Sequence, residues 1–309
     1  MKSERDKFCI NTRSAYSGRG GIHEYFHFLV DFSIPLYYHT QYRGGIYNRS
    51  VVESHIYCYE NYPYMYKFKN SKGRDAGWKH HPFDLNNLRT MKEHYEYIFE
   101  NKLNFIITRE DIIKRHMCTD IILHDINDTV LTNEDGLRRR GSWGKRPFEQ
   151  YDCFKRSILE RYKIPAVGYN DKKVIIIKRG MRKGMKWHGT DRRGKPDEWY
   201  EKLKIQFNNK GIPSEVVVFD NMKLSDQIST IRSASAVVGQ HGGGLTNMVF
   251  ADPGTLIIEY DKAVLPCYSL MAESCRLPFI ALGEKQHWRH ITTIVDSVHT
   301  HYSQVHTRE

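Results

Sequence analysis

The stretch GGIHEYFHFLVD holds two histidines, His23 and His27, four residues apart, with Glu24 directly after the first. On a helix, residues at this spacing share one face, so both imidazoles could bind one zinc ion, with Glu24 as the general base of a hydrolase. Asp31 lies four residues further on and extends the same polar stripe. A histidine oriented by a carboxylate can also act as a metal-free base. The stretch therefore indicates either a zinc centre or a proton-transfer site.

A second group of chemistry-bearing residues lies in VVGQHGGGLTNMVF, where three glycines, Gly242, Gly243 and Gly244, stand in a row. Glycines let an oxyanion approach backbone N–H groups, and the N-terminus of a following helix adds a favourable partial charge. The spacing is neither that of a Walker loop nor that of G-x-G-x-x-G. The loop therefore has the form of a phosphate cradle. The polar residues that flank it are His241, Thr246 and Asn247.

A basic loop, KRGMRK, carries Arg179 and Arg182. Guanidinium groups neutralise diphosphates well, because they form two parallel charge-assisted hydrogen bonds. The whole chain has a formal net charge of +11, which favours an acidic partner: nucleic acid, an anionic membrane or a phosphorylated small substrate. No zinc finger, RNA-binding signature or long basic helix accompanies the charge, so we expect no nucleic-acid partner.

Both loops follow short apolar runs in a regular alternation of strands and helices that begins near residue 172. Buried strands of a parallel sheet have this continuous apolar pattern, and ligands bind at their carboxyl ends. The predicted strands are 174–177, 215–219, 236–239 and 255–259. The predicted helices run from 196 to 207, from a cap at Ser225 through 233, and onward from about 244. The sequence thus predicts a doubly wound α/β sheet, with the basic loop and the glycine loop both at its carboxyl edge.

Length and composition limit the class of protein. A chain of 309 residues, 40% hydrophobic and 13% aromatic, can build two medium globular domains. No apolar run approaches the roughly 20 residues that cross a bilayer, and no secretory signal is visible, so we expect no membrane span and a cytoplasmic location. The six cysteines show no paired spacing, which predicts buried free thiols.

The run VVGQHGGGLTNMVFADPGTLIIEY resembles the signature region of glycosyltransferase family 61, G-x-H-G-[AG]-G-L-x-N followed by P-G and a strand ending in Glu. HFLVD, after a glycine-rich loop, is similar to the family's H-x-x-x-D, and FKRSILERY resembles the helix before its nucleotide-binding half. The family continues its basic loop with R-x-x-x-N-E, whereas this chain has KGMKWHGTDRRGKPDE. The positions that match the signature are Gly239, His241, Gly242, Gly244, Leu245, Asn247, Pro253, Gly254 and Glu259.

The resemblance implies a GT-B fold, in which two Rossmann-like domains face each other across a cleft. The expected parts are an acceptor and catalytic-base domain at 1–165, a nucleotide-sugar domain at 166–285, and a helical C-terminal segment at 286–309 that packs back on the first domain. It also implies an inverting transferase that moves a sugar from UDP-xylose or UDP-GlcNAc to a glycan or glycoprotein. β-Xylosyl transfer is the leading expectation, without cofactor or metal. The chain has no D-x-D triplet, the usual carboxylate pair that holds a metal diphosphate.

The resemblance also implies residue roles. His27 is expected to be the base that deprotonates the acceptor, with Asp31 as its orienter, or Asp31 the base with His27 as a binding group. Weaker acceptor contacts are expected from His23 and Tyr25. The expected donor-binding residues are Arg179, Arg182, His241, Gly242, Gly243, Gly244, Thr246, Asn247 and Glu259, with Glu259 accepting hydrogen bonds from the ribose.

Two other classes stay open on the sequence alone: a zinc metallohydrolase built on His23 and His27, and a nucleotide or nucleic-acid binding module without catalysis. Chelator-sensitive activity would favour the hydrolase, and steeply salt-dependent oligonucleotide binding would favour the module. Eukaryotic members of the family usually carry an N-terminal membrane anchor, and this sequence shows none. We therefore expect an enzyme of a bacterium or a large DNA virus that builds its own surface glycan.

Overall fold

The chain forms two compact units, Met1–Arg139 and Arg140–Glu309, both of mixed α/β architecture. The arrangement of the two units across a cleft, as in GT-B enzymes, stays a prediction. The computed structural model describes residues 7–11, 25, 29–30, 33–38, 53–59, 66–69, 75–79, 85–99, 102–108, 120–122, 145–168, 171–179, 195–220, 222–261, 266–283 and 289–306.

The first unit contains a four-stranded parallel sheet with the strand order β5-β2-β1-β6. Counted along the chain, this order is 3-2-1-4, the first four strands of the dinucleotide-binding order 3-2-1-4-5-6. An antiparallel hairpin, β3–β4, stands apart from the sheet. The elements are β1 (Lys7–Asn11), α1 (Ile34–Tyr37), β2 (Glu53–Tyr59), β3 (Tyr66–Lys69), β4 (Asp75–Lys79), α2 (Leu85–Phe99), β5 (Lys102–Thr108) and β6 (Asp120–Ile122).

Helix α2 buries one stripe of its surface. Met91, His94, Tyr95 and Ile98 repeat at the three- and four-residue spacing of a helix face, and each is at most 5% exposed. The Tyr25 ring packs edge-on against His94, with 5.4 Å between ring centroids. Tyr25, which belongs to the stretch with the His23–Asp31 pattern, therefore contacts α2.

We expect the burial of His94 to make the protein sensitive to acid. Burial lowers the pKa of His94 to about 4, whereas an unfolded histidine titrates near 6.5. Between these values the unfolded chain binds more protons than the folded chain. The free energy of unfolding should therefore fall by about 3 kcal/mol as the pH drops from 6.5 to 4. Urea denaturation at pH 7, 5.5 and 4.5 measures the loss.

The matched comparison for this prediction is His94→Gln, which keeps a polar side chain but cannot titrate. Its stability should change less with pH than that of the wild type, while His299→Gln, an exposed position on the C-terminal helix, should follow the wild type. Equal pH dependence in His94→Gln and wild type would show that His94 is not the group responsible.

The second unit contains a five-stranded parallel sheet in the order β11-β10-β9-β7-β8. Counted along the chain, this is the doubly wound order 2-1-3-4-5. The four predicted strands are confirmed, and a fifth, β11, joins the edge beside β10. The elements are α3 (Phe148–Arg161), β7 (Lys173–Ile177), α4 (Asp197–Asn209), β8 (Ser214–Val217), α5 (Leu224–Arg232), β9 (Ala234–Gln240), a 3₁₀ helix (Gly243–Phe250), β10 (Leu256–Tyr260), α6 (Cys267–Ser274), β11 (Phe279–Ala281) and α7 (Arg289–His306).

Apolar side chains of the sheet pack against α4 and α7 to form the core of this unit. Because helices cover the central strands, these strands are apolar throughout, which is why the sequence revealed them. The Trp199 ring lies 4.8 Å from the Tyr260 ring, centroid to centroid. The core residues include Val174, Ile176, Val238 and Ile258 of the sheet, Trp199, Leu203 and Phe207 of α4, and Ile294 and Val298 of α7.

A buried charged cluster joins α3 to the amino ends of the strands. Asp252 lies 3.1 Å from the Lys172 ammonium and 3.4 Å from an Arg232 nitrogen. Lys155 of α3 donates to the carbonyl of Ala251, and burial lowers the pKa of its ammonium while Asp252 opposes that shift. Helix α3 is therefore held by charge as well as by apolar packing.

Two other expectations concern the described residues. Cys153, Cys267 and Cys275 are free thiols, as predicted, and burial raises the pKa of Cys275 to about 12.

Ser225 was predicted to cap α5, but the helix begins at Leu224, and the Ser225 hydroxyl donates to Asp226 instead. Within the described ranges, no helix combines the length and apolarity that a bilayer crossing needs.

Candidate functional site

The basic and glycine loops meet at the carboxyl ends of two neighbouring strands, β7 and β9. In the register of this pair, Ile177 lies opposite Gly239. The order 2-1-3-4-5 places the topological switch point between these two strands, and open α/β sheets bind ligands in the crevice there. Arg179 leaves β7 two residues after Ile177, and His241 leaves β9 two residues after Gly239. The fold thus brings the two predicted donor loops to one place.

Two glycines allow the 3₁₀ helix to lie directly on the strand ends. A Cβ atom on Gly239 would stand 2.8 Å from Leu245 Cδ2, and one on Gly244 would stand 2.9 Å from Ile177 Cγ2. Real side chains do not approach so closely, so any larger residue would push the helix away from the sheet. Gly242 differs, because a Cβ there would meet only ordinary contacts, the nearest at 3.7 Å. Gly239 and Gly244 therefore serve packing, while Gly242 and Gly243 leave backbone accessible between them.

The helix after the glycine loop is a 3₁₀ helix that begins at Gly243, whereas the sequence predicted an unspecified helix from about 244. Its first bond runs from the Leu245 amide to the Gly242 carbonyl, at 3.0 Å. The amides of Gly243 and Gly244 precede this bond and so have no partner within the helix. Such amides, together with the positive end of the helix dipole, are what an oxyanion needs.

Arg179 lies against the glycine loop. Its Nη1 donates to the carbonyl of His241 at 3.3 Å, and its Cζ stands 3.7 Å from where a Cβ of Gly242 would be. The side chain is exposed at the surface of the unit. A fixed positive charge therefore stands beside the amides of the loop, an arrangement that suits a diphosphate.

His241 and Glu259 form a pair that crosses from β9 to β10. His241 Nδ1 is in hydrogen-bond contact with Glu259 Oε1, and Glu259 is completely buried. The His241 side chain keeps 20% of its surface exposed, and its ring packs edge-on against Tyr268 at 5.0 Å. Glu259 lies opposite Gly239 in the sheet, so the register carries its carboxylate beneath the glycine loop. The predicted contact of Glu259 with a ribose stays a prediction.

Thr246 and Asn247 are both buried in the 3₁₀ helix. The Asn247 amide donates to Gln227 at 2.8 Å, and Gln227 in turn donates to the Met222 carbonyl at 2.9 Å. Tyr268 is buried beside this helix, and burial raises its pKa. Asn247 therefore fastens the connection between β8 and α5. Their predicted contacts with the donor stay predictions.

A second polar cluster lies at the same edge of the sheet, and the sequence pattern did not predict it. Asp261, directly after β10, lies 2.6 Å from the Lys195 ammonium and accepts from Gln240 at 3.2 Å. Its backbone has a positive φ of 51°, and His290 lies 3.8 Å from its other oxygen. This ion pair links Lys195, just before α4, to the residue that follows β10. A lone Asp after a strand gave no signal for this role.

Other predicted residues lie outside the described part of the chain. These are His23, Glu24, His27 and Asp31 of the opening stretch and Arg182 of the basic loop. Within the stretch, Tyr25, Leu29 and Val30 are described, and all three are helical. Among the described residues alone, no group of three metal-ligating side chains comes together.

Comparison with known proteins agrees with this geometry. A beta-1,2-xylosyltransferase of Oryza sativa subsp. japonica, RCN11, is 28% identical over 83 residues, which cover 26% of this chain and 16% of that protein. The match thus spans a small part of the relative. The family model described as Glycosyltransferase 61 matches residues 25–258, well over half of the chain and inclusive of His27, Asp31 and both donor loops. The chain therefore belongs to glycosyltransferase family 61.

Proposed function

We propose that the protein is an inverting glycosyltransferase that moves a sugar from a UDP-sugar to a glycan or glycoprotein acceptor. One observation carries the proposal: Arg179 and the amides of Gly243 and Gly244 converge at the switch point of a doubly wound sheet. Family membership supplies the reaction class. The name of the rice relative, a beta-1,2-xylosyltransferase, favours xylose as the sugar.

In this proposal the protein stabilises the leaving UDP without a metal ion. When the bond between the anomeric carbon and the diphosphate breaks, negative charge grows on the phosphate oxygens. Arg179 and the loop amides oppose that charge, and preorganised donors of this kind supply much of the rate enhancement of many enzymes. The sequence offers no D-x-D pair for a metal diphosphate, which agrees with this role for Arg179.

In this proposal, His27 and Asp31 activate the acceptor. An inverting transfer needs one base, which removes the acceptor proton as the acceptor oxygen attacks the anomeric carbon opposite the diphosphate. Both residues lie within the family match. Asp31 would hold the imidazole in one orientation and stabilise its protonated form. Tyr25, a residue of the same stretch, packs on His94 of α2.

A panel of nucleotides in a thermal-shift assay tests the donor assignment. We expect UDP and UDP-xylose to raise the melting temperature with EDTA present, because a ligand at 100 times its Kd adds about 2.7 kcal/mol to the stability of the native state. GDP and ADP serve as controls for unspecific attraction of anions to the basic surface, and they should have much smaller effects. Equal shifts with all nucleotides would contradict a uridine-specific site.

Turnover measurements then test which sugar the enzyme transfers. Release of UDP from UDP-xylose in the presence of an acceptor glycan is the expected result, and UDP-GlcNAc is the comparison. Activity seen with UDP-GlcNAc alone would overturn xylose as the sugar while leaving glycosyl transfer intact.

A further inference from the structure

We infer that His241 donates a hydrogen bond from Nε2 to the diphosphate of the donor, and that Glu259 is a positioning residue that holds His241 for this task without touching the donor. The inference rests on the proposed function and deepens it. It assigns to the glycine loop a cationic hydrogen-bond donor in addition to Arg179.

The burial of Glu259 is the first observation. The residue is 0% exposed, and its hydrogen-bond partner is His241 Nδ1. A buried carboxylate is costly unless a counter-charge or several hydrogen bonds compensate it. Its second oxygen, Oε2, is also buried and has no hydrogen-bond partner among the described residues. Among the described residues, the contact of this carboxylate is therefore with the imidazole.

The orientation of the imidazole is the second observation. Because Nδ1 faces Glu259, the other ring nitrogen, Nε2, is the one left for a ligand. His241 makes no further polar side-chain contact with the described residues, and a fifth of its side chain is exposed. Tyr268 packs edge-on against the ring, at an interplanar angle of 71°. The ring is therefore fixed by one hydrogen bond and one aromatic contact.

The position of the ring is the third observation. His241 immediately precedes the three glycines, and its own carbonyl accepts from Arg179. A diphosphate on the amides of Gly243 and Gly244 would lie beside the ring. The imidazole would then stand between two anions, the buried carboxylate and the diphosphate. This arrangement suits a ring that donates from both nitrogens, from Nδ1 to Glu259 and from Nε2 to the diphosphate.

The glycosyl transfer does not require that the His241 proton move. The bond between the anomeric carbon and the β-phosphate oxygen breaks, and its electron pair goes to that oxygen. The acceptor oxygen forms the new bond to the anomeric carbon, and its proton goes to the base. His241 Nε2 donates to the diphosphate throughout, in a charge-assisted hydrogen bond that strengthens as the charge on the leaving group grows.

Binding measurements with Glu259→Gln and His241→Asn test the inference. Both variants should weaken UDP binding by about 10-fold to 100-fold, as expected for the loss of a hydrogen bond to a charged group. Affinity for uridine, which lacks the diphosphate, should stay at the wild-type value. The matched controls are Glu215→Gln, an exposed carboxylate that pairs with Lys173 on the sheet, and His299→Asn on α7, and both should bind UDP normally.

A spectroscopic measurement separates positioning from a merely structural role. In protein labelled with ¹⁵N-histidine and saturated with UDP at pH 7.5, the ring signals that vanish in His241→Asn identify His241. We expect both of its ring nitrogens to be protonated in wild type. In Glu259→Gln the same ring should be neutral. This measurement on wild type stands even if Glu259→Gln does not fold.

The outcomes distinguish failure of the proposed function from failure of the His241 assignment. If wild type does not bind UDP, the proposed function fails. If wild type binds UDP but His241 is neutral in the complex, or if folded Glu259→Gln binds UDP as tightly as wild type, the His241 assignment is overturned while the proposed function stands. Weaker binding of uridine and UDP to the same extent would show that Glu259 only maintains the pocket.

Discussion

Replacement of His27 by alanine is expected to lower turnover by about 100-fold to 10,000-fold, the usual range for the loss of a general base. Affinity for UDP should stay near the wild-type value, because the donor loops belong to the second unit of the chain. Steady-state UDP release with UDP-xylose and an acceptor measures turnover, and calorimetric titration with UDP measures affinity. Asp31→Asn should also slow turnover, since an amide supports a developing imidazolium less well than a carboxylate does.

The same stretch provides the control for this prediction. Glu24 is the base in the zinc-hydrolase alternative, so Glu24→Gln should be mild if His27 is the base of a transferase. Activity should also survive EDTA. If EDTA stops the reaction and zinc restores it, His23 and His27 are metal ligands, and the assignment of a metal-free base is wrong.

Replacement of Arg179 by alanine is expected to lower kcat/KM by about 100-fold to 1,000-fold, the range found when one preorganised donor to a developing anion is removed. The reason is the position of its guanidinium, which contacts the His241 carbonyl and lies beside Gly242. Arg179→Lys should recover only part of the loss, because an ammonium cannot bind a phosphate through two parallel bonds. Kinetics over a range of UDP-xylose concentrations measure both effects.

Lys178 is a close control for Arg179. It is the preceding residue and also positive, but its ammonium pairs with Asp197 at 2.8 Å and lies over the Tyr200 ring of α4. That hydrogen bond to Asp197 raises the pKa of Lys178. Lys178→Ala should therefore change kcat/KM much less than Arg179→Ala does. Equal losses in the two variants would indicate that general positive charge, and not the guanidinium of Arg179, attracts the donor.

The second sheet could be predicted because its central strands are covered by helices and are therefore apolar. Val174 and Ile176 belong to such a run, and the glycine loop follows another. Strand β11 was missed because it has three residues, too few for a pattern. The strands of the first unit alternate polar and apolar residues less clearly, as in ESHIYCY of β2, so its parallel sheet could be reached only through the family resemblance.

The contacts of the candidate site depended on information that the sequence does not carry. His241 and Glu259 are 18 positions apart in the sequence, and their pairing requires the register between β9 and β10. The inward turn of Asn247 toward Gln227 follows from the 3₁₀ form of its helix, which composition does not reveal. Residue types and their order thus predicted which residues gather at the strand ends but not which of them contact one another.

The attachment of α3 decides where this chain can be divided. The helix contributes Lys155 to the charged cluster around Asp252 and Phe154 to a ring contact with Phe250, 5.8 Å between centroids. The Arg146 amide just before it bonds Ser274 of α6 at 3.1 Å. A fragment that started at residue 166 would leave Asp252 with fewer cations and expose the apolar surface under the helix. An isolated donor-binding half should therefore begin upstream of Arg146, close to the division at residue 140.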